Sequence, residues 1–235
     1  MIKSSPTKYQ PKGITLLFED NDIIVVEKPC GLLTIGTERD KSRTVHSILN
    51  EYVRKGNPRS RNRVYIVHRL DRETSGILVL AKSEPAKIFM QGDWQETGKR
   101  YLAVVHGTLA EKAGTISSYL AENSAFKVYS TADASKGKLS HTEYRVLKEA
   151  KGFSLLELNL LTGRKHQIRV HLSEKGHPIV GDPKYGKSND HQSTMALHAR
   201  SISFTHPVNG KRLTFETGIP DFFTRLMGKI EVSTV

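Results

Sequence analysis

Residues 64–80 read VYIVHRLDRETSGILVL, and this stretch decides how the chain is expected to fold. An apolar run stands at each end, and both runs have the length and β-branched content of buried strands. The polar segment between them holds one aspartate, Asp71, flanked by Arg69 and Arg72. Connectors between core strands are usually short and rich in small residues. This long, charged connector therefore indicates a functional site held between two core strands.

The remaining chain predicts many short strands and a few helices. Strands are expected on both sides of the acidic turn 19–22 and over residues 101–105, 142–147, 156–160, 197–204 and 212–216. Helical spacing of apolar residues is found at 44–53, 83–94, 164–175 and after 220. Because strands and helices do not alternate strictly, we predict an α+β fold with a central, largely antiparallel or mixed sheet and flanking helices. Residues 1–12 are expected to form a flexible tail before a single domain, 13–235.

Four local features are also predicted. Gly56 is expected to end the first helix and Ser83 to cap the second. The apolar face of the second helix would comprise Ala86, Phe89, Met90 and Trp94. Residues 122–140, rich in Ser, Ala, Lys and Gly, are expected to form a surface excursion outside the core.

The charge balance of the 235-residue chain points to a polyanionic partner. It has 36 Lys and Arg against 24 Asp and Glu, a net charge of +12. Such an excess favours nucleic acid first and an anionic membrane surface second, with solubility alone as the plain alternative. Residues 54–63 hold five basic side chains beside the opening stretch. They are either a phosphate-contacting loop or a solvated face.

Cysteine usage and hydropathy restrict the setting. Cys30 is the single cysteine, which excludes an intramolecular disulfide and a thiolate zinc site and fits a reducing compartment. The chain has neither an apolar signal core at residue 1 nor an apolar run of membrane-spanning length. We expect a cytoplasmic protein in a bacterium, or a matrix or nuclear protein elsewhere.

Motifs for metal, nucleotide and cofactor chemistry are missing from the sequence. HExxH, paired CxxC, the P-loop and the dinucleotide fingerprint are all absent, so we expect neither a metal nor a cofactor. A serine triad is not excluded by spacing, but Ser75 does not lie in a GxSxG elbow. The neighbouring arginines favour an ionised Asp71, which suits a nucleophile or a base. On residue type alone, a structural ion pair with Arg69 or Arg72 is the more common explanation.

Residues 68–76, HRLDRETSG, resemble the HRLDxxTSG signature of the RluA family of pseudouridine synthases. Segments 28–32 (KPCGL), 99–107 (KRYLAVVHG) and 163–186 resemble further family segments, in the family's order. Shorter late matches lie at 197–199 and 204–207. The resemblance covers roughly residues 14–217, and several long motifs in order are far more specific than one short motif.

The resemblance implies an isomerase that converts specific uridines in ribosomal or transfer RNA to pseudouridine. Such an enzyme flips the target base out, detaches uracil from C1′ of the ribose, and rejoins it through C5. It also implies that residues 13–235 are a catalytic domain with a basic active-site cleft. Many relatives carry an N-terminal S4 RNA-binding module, and fewer than twenty residues precede the first predicted strand here. A short member without that module is therefore expected.

The resemblance also implies roles for single residues. Asp71 matches the catalytic carboxylate, Tyr101 the tyrosine that stacks on the base and assists deprotonation at C5, and Arg169 the basic residue that pairs with Asp71. Residues 74–76 are expected to be the turn that positions Asp71. The expected substrate-binding residues are Arg69, which would enter the stack in place of the base, His68, Arg72, Arg164, Lys165 and His166. Attack by Asp71 on the sugar or base and removal of the 2′ proton to give a glycal both remain open.

An alternative from another class is a non-catalytic RNA-binding or RNA-chaperone protein with the same fold. A membrane-surface protein ranks third, because the basic residues form no amphipathic helix. We expect RNA as partner, with neither DNA nor membrane, and a monomer. Two departures from the family pattern, Glu27 in place of Asn and Lys165 in place of Thr or Ser, concern substrate contacts more than catalysis.

Overall fold

The structure, a computed structural model, describes residues 10–36 and 43–230. Its strands are β1 (Thr15–Glu19), β2 (Ile23–Lys28), β3 (Tyr65–Ile66), β4 (Ser75–Ala81), β5 (Gly98–His106), β6 (Ala113–Glu122), β7 (Val128–Thr131), β8 (Lys138–Ala150), β9 (Phe153–Leu160), β10 (Leu197–Thr205) and β11 (Arg212–Glu216). Its α-helices are α1 (Val45–Arg54), α2 (Glu84–Gly92), α3 (Gln167–Glu174) and α4 (Asp221–Met227). The strand ladders described below are antiparallel, which confirms the predicted α+β class with a largely antiparallel sheet.

The chain forms two compact units. The first comprises Met1–Thr97 and Ser201–Thr217, and the second comprises Gly98–Arg200 and Gly218–Val235. The predicted tail lies mostly outside the described residues, and the single-domain assignment stays a prediction.

In the first unit, β2 lies between β1 and β4, and the ladder ends with Lys28 opposite Gly76. This register brings the loop after β2 beside the loop before β4. The inward side chains of these strands, including Val25 and Val79, are fully buried in one apolar cluster. The apolar run at 64–67 forms only the two-residue strand β3 on the side of β4, so the prediction of a full strand there was wrong.

In the second unit, the strand order is β5-β9-β8-β6-β7. Helix α3 lies against β6, β7 and β8, and α4 lies against β8 and β9. The core of this unit includes Leu156 and Leu158 of β9, which stand opposite Ala103 and Tyr101 of β5 in the ladder. A rigid sheet thus supports α3, which carries Arg169 and follows directly on Arg164, Lys165 and His166.

Two helix details differ from the prediction. The capping residue after α1 is Lys55, with a φ of 51°, and Gly56 follows it. Ser83 does cap α2, by accepting a hydrogen bond from the Ala86 N–H at 3.2 Å. Phe89 is 42% exposed, however, because its side of this short helix faces water.

The segment 122–140 is more ordered than predicted. It contains β7 and the start of β8, and its Val128 and Ser140 are buried. Val128 packs in a small cluster with Leu120, Val170 and Tyr185. Polar composition therefore hid a strand that anchors one side of α3.

Candidate active site

The loop before β4 carries Asp71 on a turn at residues 72–73. The Thr74 N–H donates to the Asp71 carbonyl at 3.2 Å and closes this turn. Ser75 and Gly76 already belong to β4, because Gly76 pairs with Lys28 in the ladder. The prediction that residues 74–76 form the turn was therefore wrong. Asp71 is half-buried, and Arg69 and Arg72 are exposed.

A buried lysine ties this loop to the loop after β2. Lys28 is 0% exposed, and its Nζ donates to the carbonyls of Pro29 at 3.0 Å, Leu32 at 2.7 Å and Arg72 at 3.1 Å. An ammonium group has three N–H donors, so these three acceptors match its full donor set. The sequence places Lys28 in a matched motif but does not reveal that it joins these two loops.

The same lysine places a cation close to the acidic residues of the loop. Burial lowers the pKa of Lys28 to about 8, while Cys30, Glu73 and Asp71 act on it in the opposite direction. The shift follows from the cost of removing an ammonium ion from water. At neutral pH, Lys28 is therefore predominantly charged and attracts the Asp71 carboxylate.

Further hydrogen bonds complete the clamp. The Gly31 N–H donates to the Arg72 carbonyl at 2.8 Å, and Nε of Arg72 donates to the Gly31 carbonyl at 3.2 Å. Buried Thr34 donates through Oγ1 to the Leu70 carbonyl at 2.8 Å and accepts from the Leu70 N–H at 3.2 Å. Backbone on both sides of Asp71 is thus held by the loop after β2.

His68 is held inside the unit. Its Nε2 accepts the Val79 N–H at 3.0 Å, and its ring lies 4.5 Å from the ring of Trp94, centroid to centroid. A ring nitrogen that accepts a hydrogen bond carries no proton, so Nδ1 is the protonated nitrogen. These contacts give His68 a role in orienting the loop, and its contact with substrate stays a prediction.

In the second unit, Arg169 of α3 forms a buried ion pair that sequence reasoning missed. Its Nε and Nη2 donate to the two carboxylate oxygens of Asp182, each at 2.8 Å. The side chains are 3% and 0% exposed. Such a bidentate pair fixes the plane of the guanidinium. The predicted pairing of Arg169 with Asp71 stays a prediction.

The environment of Asp182 favours its ionised form. Burial raises the pKa of its carboxyl, but the hydrogen bonds and charge of Arg169 and the N–H groups of Lys184 and Tyr185 outweigh burial. Those N–H groups donate to Oδ1 at 2.9 and 3.0 Å. The pKa therefore lies below its usual value, and Asp182 is a permanent anion beside Arg169 at neutral pH.

Tyr185 supports both Arg169 and His166. The Arg169 guanidinium lies 5.2 Å from the centre of the Tyr185 ring. The Tyr185 hydroxyl is 3.0 Å from the Val128 nitrogen and 2.8 Å from Nδ1 of His166. These contacts fit a phenol that accepts from Val128 and donates to His166. In the sequence, the only indication of this role was the position of Tyr185 in a matched segment.

The start of α3 presents two exposed cations. His166, with a φ of 53°, precedes the helix, and Arg164 and Lys165 are exposed. The buried side chain of Gln167 accepts the Arg164 N–H at 3.0 Å and donates to the His141 carbonyl at 3.0 Å. This amide anchors the approach to the helix on β8.

Tyr101 is half-buried on β5, opposite Leu158 of β9. The neighbouring Lys99 is buried, and burial lowers its pKa. Pairing of β5 with β9 over residues 100–106 gives Tyr101 a rigid backbone, as a stacking platform requires.

The predicted site residues fall into three groups. The first unit brings His68, Arg69, Asp71 and Arg72 together on one loop. The second unit brings Arg164, Lys165, His166 and Arg169 together around the start of α3, and Tyr101 lies on β5 of that unit.

In the described part of the chain, one group of side chains has potential metal-ligand atoms close enough together to hold a cation. It comprises Asp20, Asp22 and His206, whose carboxylate oxygens and ring nitrogen lie within 4.8 Å of one another. Asp20 already accepts the Asp22 and Ile23 N–H groups and pairs with Nε2 of His206 at 2.9 Å. These bonds explain the group as a turn and a side-chain hydrogen bond. Among the described helices, none combines the length and apolar character needed to cross a membrane.

Comparison with known proteins agrees with the motifs. The family model for RNA pseudouridylate synthase matches residues 22–174. The chain is 38% identical over 228 residues to an uncharacterized RNA pseudouridine synthase of Mycoplasma genitalium, MG209, covering 94% of this chain and 72% of that protein. It is 37% identical to ribosomal large subunit pseudouridine synthase D of Nitrosomonas europaea, covering 92% of this chain and 65% of that protein. It is 34% identical to the protein of that name in Zymomonas mobilis, covering 97% of this chain and 77% of that protein.

Solved structures give the same result. The structure of human RNA Pseudouridylate Synthase Domain Containing 1 matches with a TM-score of 0.75 and 26% identity, covering 97% of this chain and 93% of that chain. Human RNA Pseudouridylate Synthase Domain Containing 4 also matches with a TM-score of 0.75 and 26% identity, covering 89% and 90%.

Proposed function

The chain belongs to the RNA pseudouridylate synthase family. From this premise we propose that Asp71 is the catalytic residue for the isomerisation of uridine in large-subunit ribosomal RNA. As a pseudouridine synthase, the protein is an isomerase that acts on RNA. The observation that carries the assignment of Asp71 is the double clamp of Lys28 and Thr34 on its loop. Such a clamp fixes the backbone on both sides of a half-buried carboxylate.

The reaction leaves the elemental composition of the nucleotide unchanged. The bond from N1 of uracil to C1′ breaks, the ring turns, and a bond from C5 to C1′ forms. The hydrogen at C5 leaves as a proton, and N1 of the product carries a proton, so the process needs no oxidant and no energy source. The Asp71 carboxylate serves either as a nucleophile or as the base that removes the 2′ proton.

Tyr101 and Arg169 complete the proposed catalytic set. The phenol of Tyr101 is proposed to stack on the flipped base and assist proton removal at C5. Arg169 is proposed to pair with Asp71, and its five N–H donors allow this pair alongside the one with Asp182. Support comes from the rigid mounting of Arg169 on α3 and from the position of both residues in matched segments.

The exposed cations are proposed to hold the RNA. Arg69 would occupy the place of the flipped base, which offsets part of the unstacking cost of a few kcal/mol. Arg72, Arg164 and Lys165 would contact phosphates, and His68 and His166 would orient the loops that carry them. The net charge of +12 supports this assignment.

Large-subunit ribosomal RNA is preferred as substrate because several relatives are named for it. Transfer RNA is the second candidate. We also propose a monomer that works in the cytoplasm, with RNA and not DNA as its partner. The lone cysteine supports a reducing compartment.

Tritium release from RNA labelled at C5 of uridine tests the role of Asp71. Asp71→Asn is expected to reduce release to background, with RNA affinity within about threefold of wild type because phosphate contacts dominate binding. Glu73→Gln, a matched carboxylate change in the same loop, is expected to retain activity. Release by Asp71→Asn at the wild-type rate would refute the assignment.

A non-catalytic RNA-binding protein is the alternative. It predicts that the wild-type chain binds RNA but releases no tritium from any cellular RNA fraction. Release by the wild type from at least one fraction excludes it.

A further inference from the structure

The turn between β6 and β7 displays an aromatic side chain to water. Phe126 is 63% exposed and has a φ of 56°. A bulky residue in the left-handed region is uncommon and costs energy, and burial does not repay that cost here. Backbone outliers of this kind cluster at active sites, ligand clamps and switch regions.

The turn that carries Phe126 is held rigidly. The side-chain oxygen of Asn123 accepts the N–H groups of Ala125 at 3.0 Å and Lys127 at 2.9 Å. The Phe126 N–H donates to the Asn123 carbonyl at 2.9 Å, and Nζ of Lys184 donates to the Phe126 carbonyl at 2.5 Å. A fixed aromatic loses little conformational entropy on binding a partner.

One lysine lies over this ring, and two more lie near its turn. Nζ of Lys165 lies 5.5 Å from the centre of the Phe126 ring, and Nζ of Lys127 lies 6.0 Å from the centre of the Tyr185 ring. Lys184 holds the Phe126 carbonyl, as described above. Among the described residues, the acid that forms an ion pair with one of these lysines is Glu122, which pairs with Lys165. Three lysines against one glutamate leave the surface positive.

We propose that Phe126, with Lys127, Lys165 and Lys184, is a contact for single-stranded RNA outside the reacting nucleotide. A base would stack on the exposed part of the Phe126 ring, and the lysines would contact the adjoining phosphates. This proposal rests on the action of the chain on RNA and extends the proposed phosphate contact of Lys165 to a defined surface.

Base stacking distinguishes this surface from a general basic patch. Positive charge alone would attract single-stranded and duplex RNA alike. A stacking platform needs an unpaired base, and only the single strand supplies one. A protein partner would use the same apolar ring without any preference for single-stranded RNA.

Binding to a labelled oligouridylate of about 12 nucleotides, a length within the site sizes of single-strand binders, tests the proposal without any need for turnover. Phe126→Leu keeps an apolar side chain and removes stacking, so it is expected to weaken binding about fivefold, or about 1 kcal/mol. Phe126→Tyr is expected to bind as wild type. Phe89→Leu, at an exposed aromatic of the first unit, is the matched control and is expected to have no effect.

Two further measurements sharpen the result. Binding of Phe126→Leu to an RNA duplex is expected to match wild type, and Lys127→Gln is expected to lower the salt slope of oligouridylate binding by about 0.7. Wild-type affinity of Phe126→Leu for the single strand would overturn the proposal, as would equal weakening for both RNAs. Neither outcome depends on tritium release, so failure here is separate from failure of the Asp71 assignment.

Discussion

The buried pair of Arg169 and Asp182 gives a quantitative prediction. Asp182→Leu is expected to lower the free energy of unfolding by about 4 kcal/mol. Removing one partner of a buried ion pair costs about 3–5 kcal/mol, because the remaining charge stays in an apolar setting. Both side chains are at most 3% exposed, so water cannot replace the lost partner without opening the unit.

A milder substitution distinguishes the roles of the two carboxylate oxygens of Asp182. Asp182→Asn keeps an acceptor at the Oδ1 position, which serves the N–H groups of Lys184 and Tyr185 and Nη2 of Arg169. It places an amide NH₂ opposite Nε of Arg169, so two donors face each other. We expect a loss of about 2 kcal/mol, within the cost of leaving a charged group unsatisfied.

Urea unfolding followed by far-ultraviolet circular dichroism measures these changes. The lone tryptophan, Trp94, lies in the first unit and is a poor reporter for the second. The double variant Arg169→Met with Asp182→Leu should lose at least about 2 kcal/mol less unfolding free energy than the sum of the losses of the two single variants. Additive losses, or Asp182→Asn within about 0.5 kcal/mol of wild type, would refute the reasoning.

The same pair has a pH signature. The pKa of Asp182 is lowered in the folded protein, so its contribution is complete above the unfolded value of about 4 and is lost as pH falls through the folded pKa. Asp182→Asn should therefore flatten the acid limb of the stability curve. A variant curve parallel to wild type below pH 4 would contradict this assignment.

Three further predictions concern the buried bases Lys28 and His171. Lys28→Met is expected to lower the turnover of tritium release about tenfold or more, with RNA affinity within about twofold of wild type. The reason is that three carbonyls that hold the Asp71 loop lose their donor. Lys82→Met is the control, and wild-type turnover in Lys28→Met would argue against the clamp. Because the pKa of Lys28 falls from 10.5 to about 8 on folding, stability relative to Lys28→Met should rise from pH 8 to 10.5 by up to about 3 kcal/mol. Burial lowers the pKa of His171 from 6.5 to about 4, so the contribution of His171 to stability should fall by about 2 kcal/mol from pH 7 to pH 5. Burial also lowers the pKa of His198 to about 4, so in urea unfolding His171→Gln should lose less stability than wild type over this range without becoming independent of pH. Equal pH slopes would show that His171 is not responsible.

Much of the fold follows from apolar periodicity. The strands β2, β5, β9 and β10 and the helix α1 were predicted because their buried positions are apolar and regularly spaced. Strands β6 and β7 were missed because they are half-exposed and polar, so alternation is weak. Tertiary pairing with β8, and not local propensity, makes β6 a strand.

The candidate site divides in the same way. Charged residues in a polar connector marked Asp71 and its arginines, and the matched motifs added Tyr101 and Arg169. The supporting partners Lys28, Thr34 and Asp182 could not be identified, because their roles depend on backbone carbonyls and side chains far away in the sequence. Buried polar groups are exceptions to hydropathy patterns, and only the folded chain shows what satisfies them.

Mapping of pseudouridine at nucleotide resolution tests the central claim most directly. Large-subunit ribosomal RNA would be compared from cells that lack the gene and from cells that regain either the wild-type chain or Asp71→Asn at equal abundance. We predict at least one position that is uridine without the gene, pseudouridine with the wild type, and uridine with Asp71→Asn. A large-subunit map that does not change on deletion, or full modification restored by Asp71→Asn, would contradict the account.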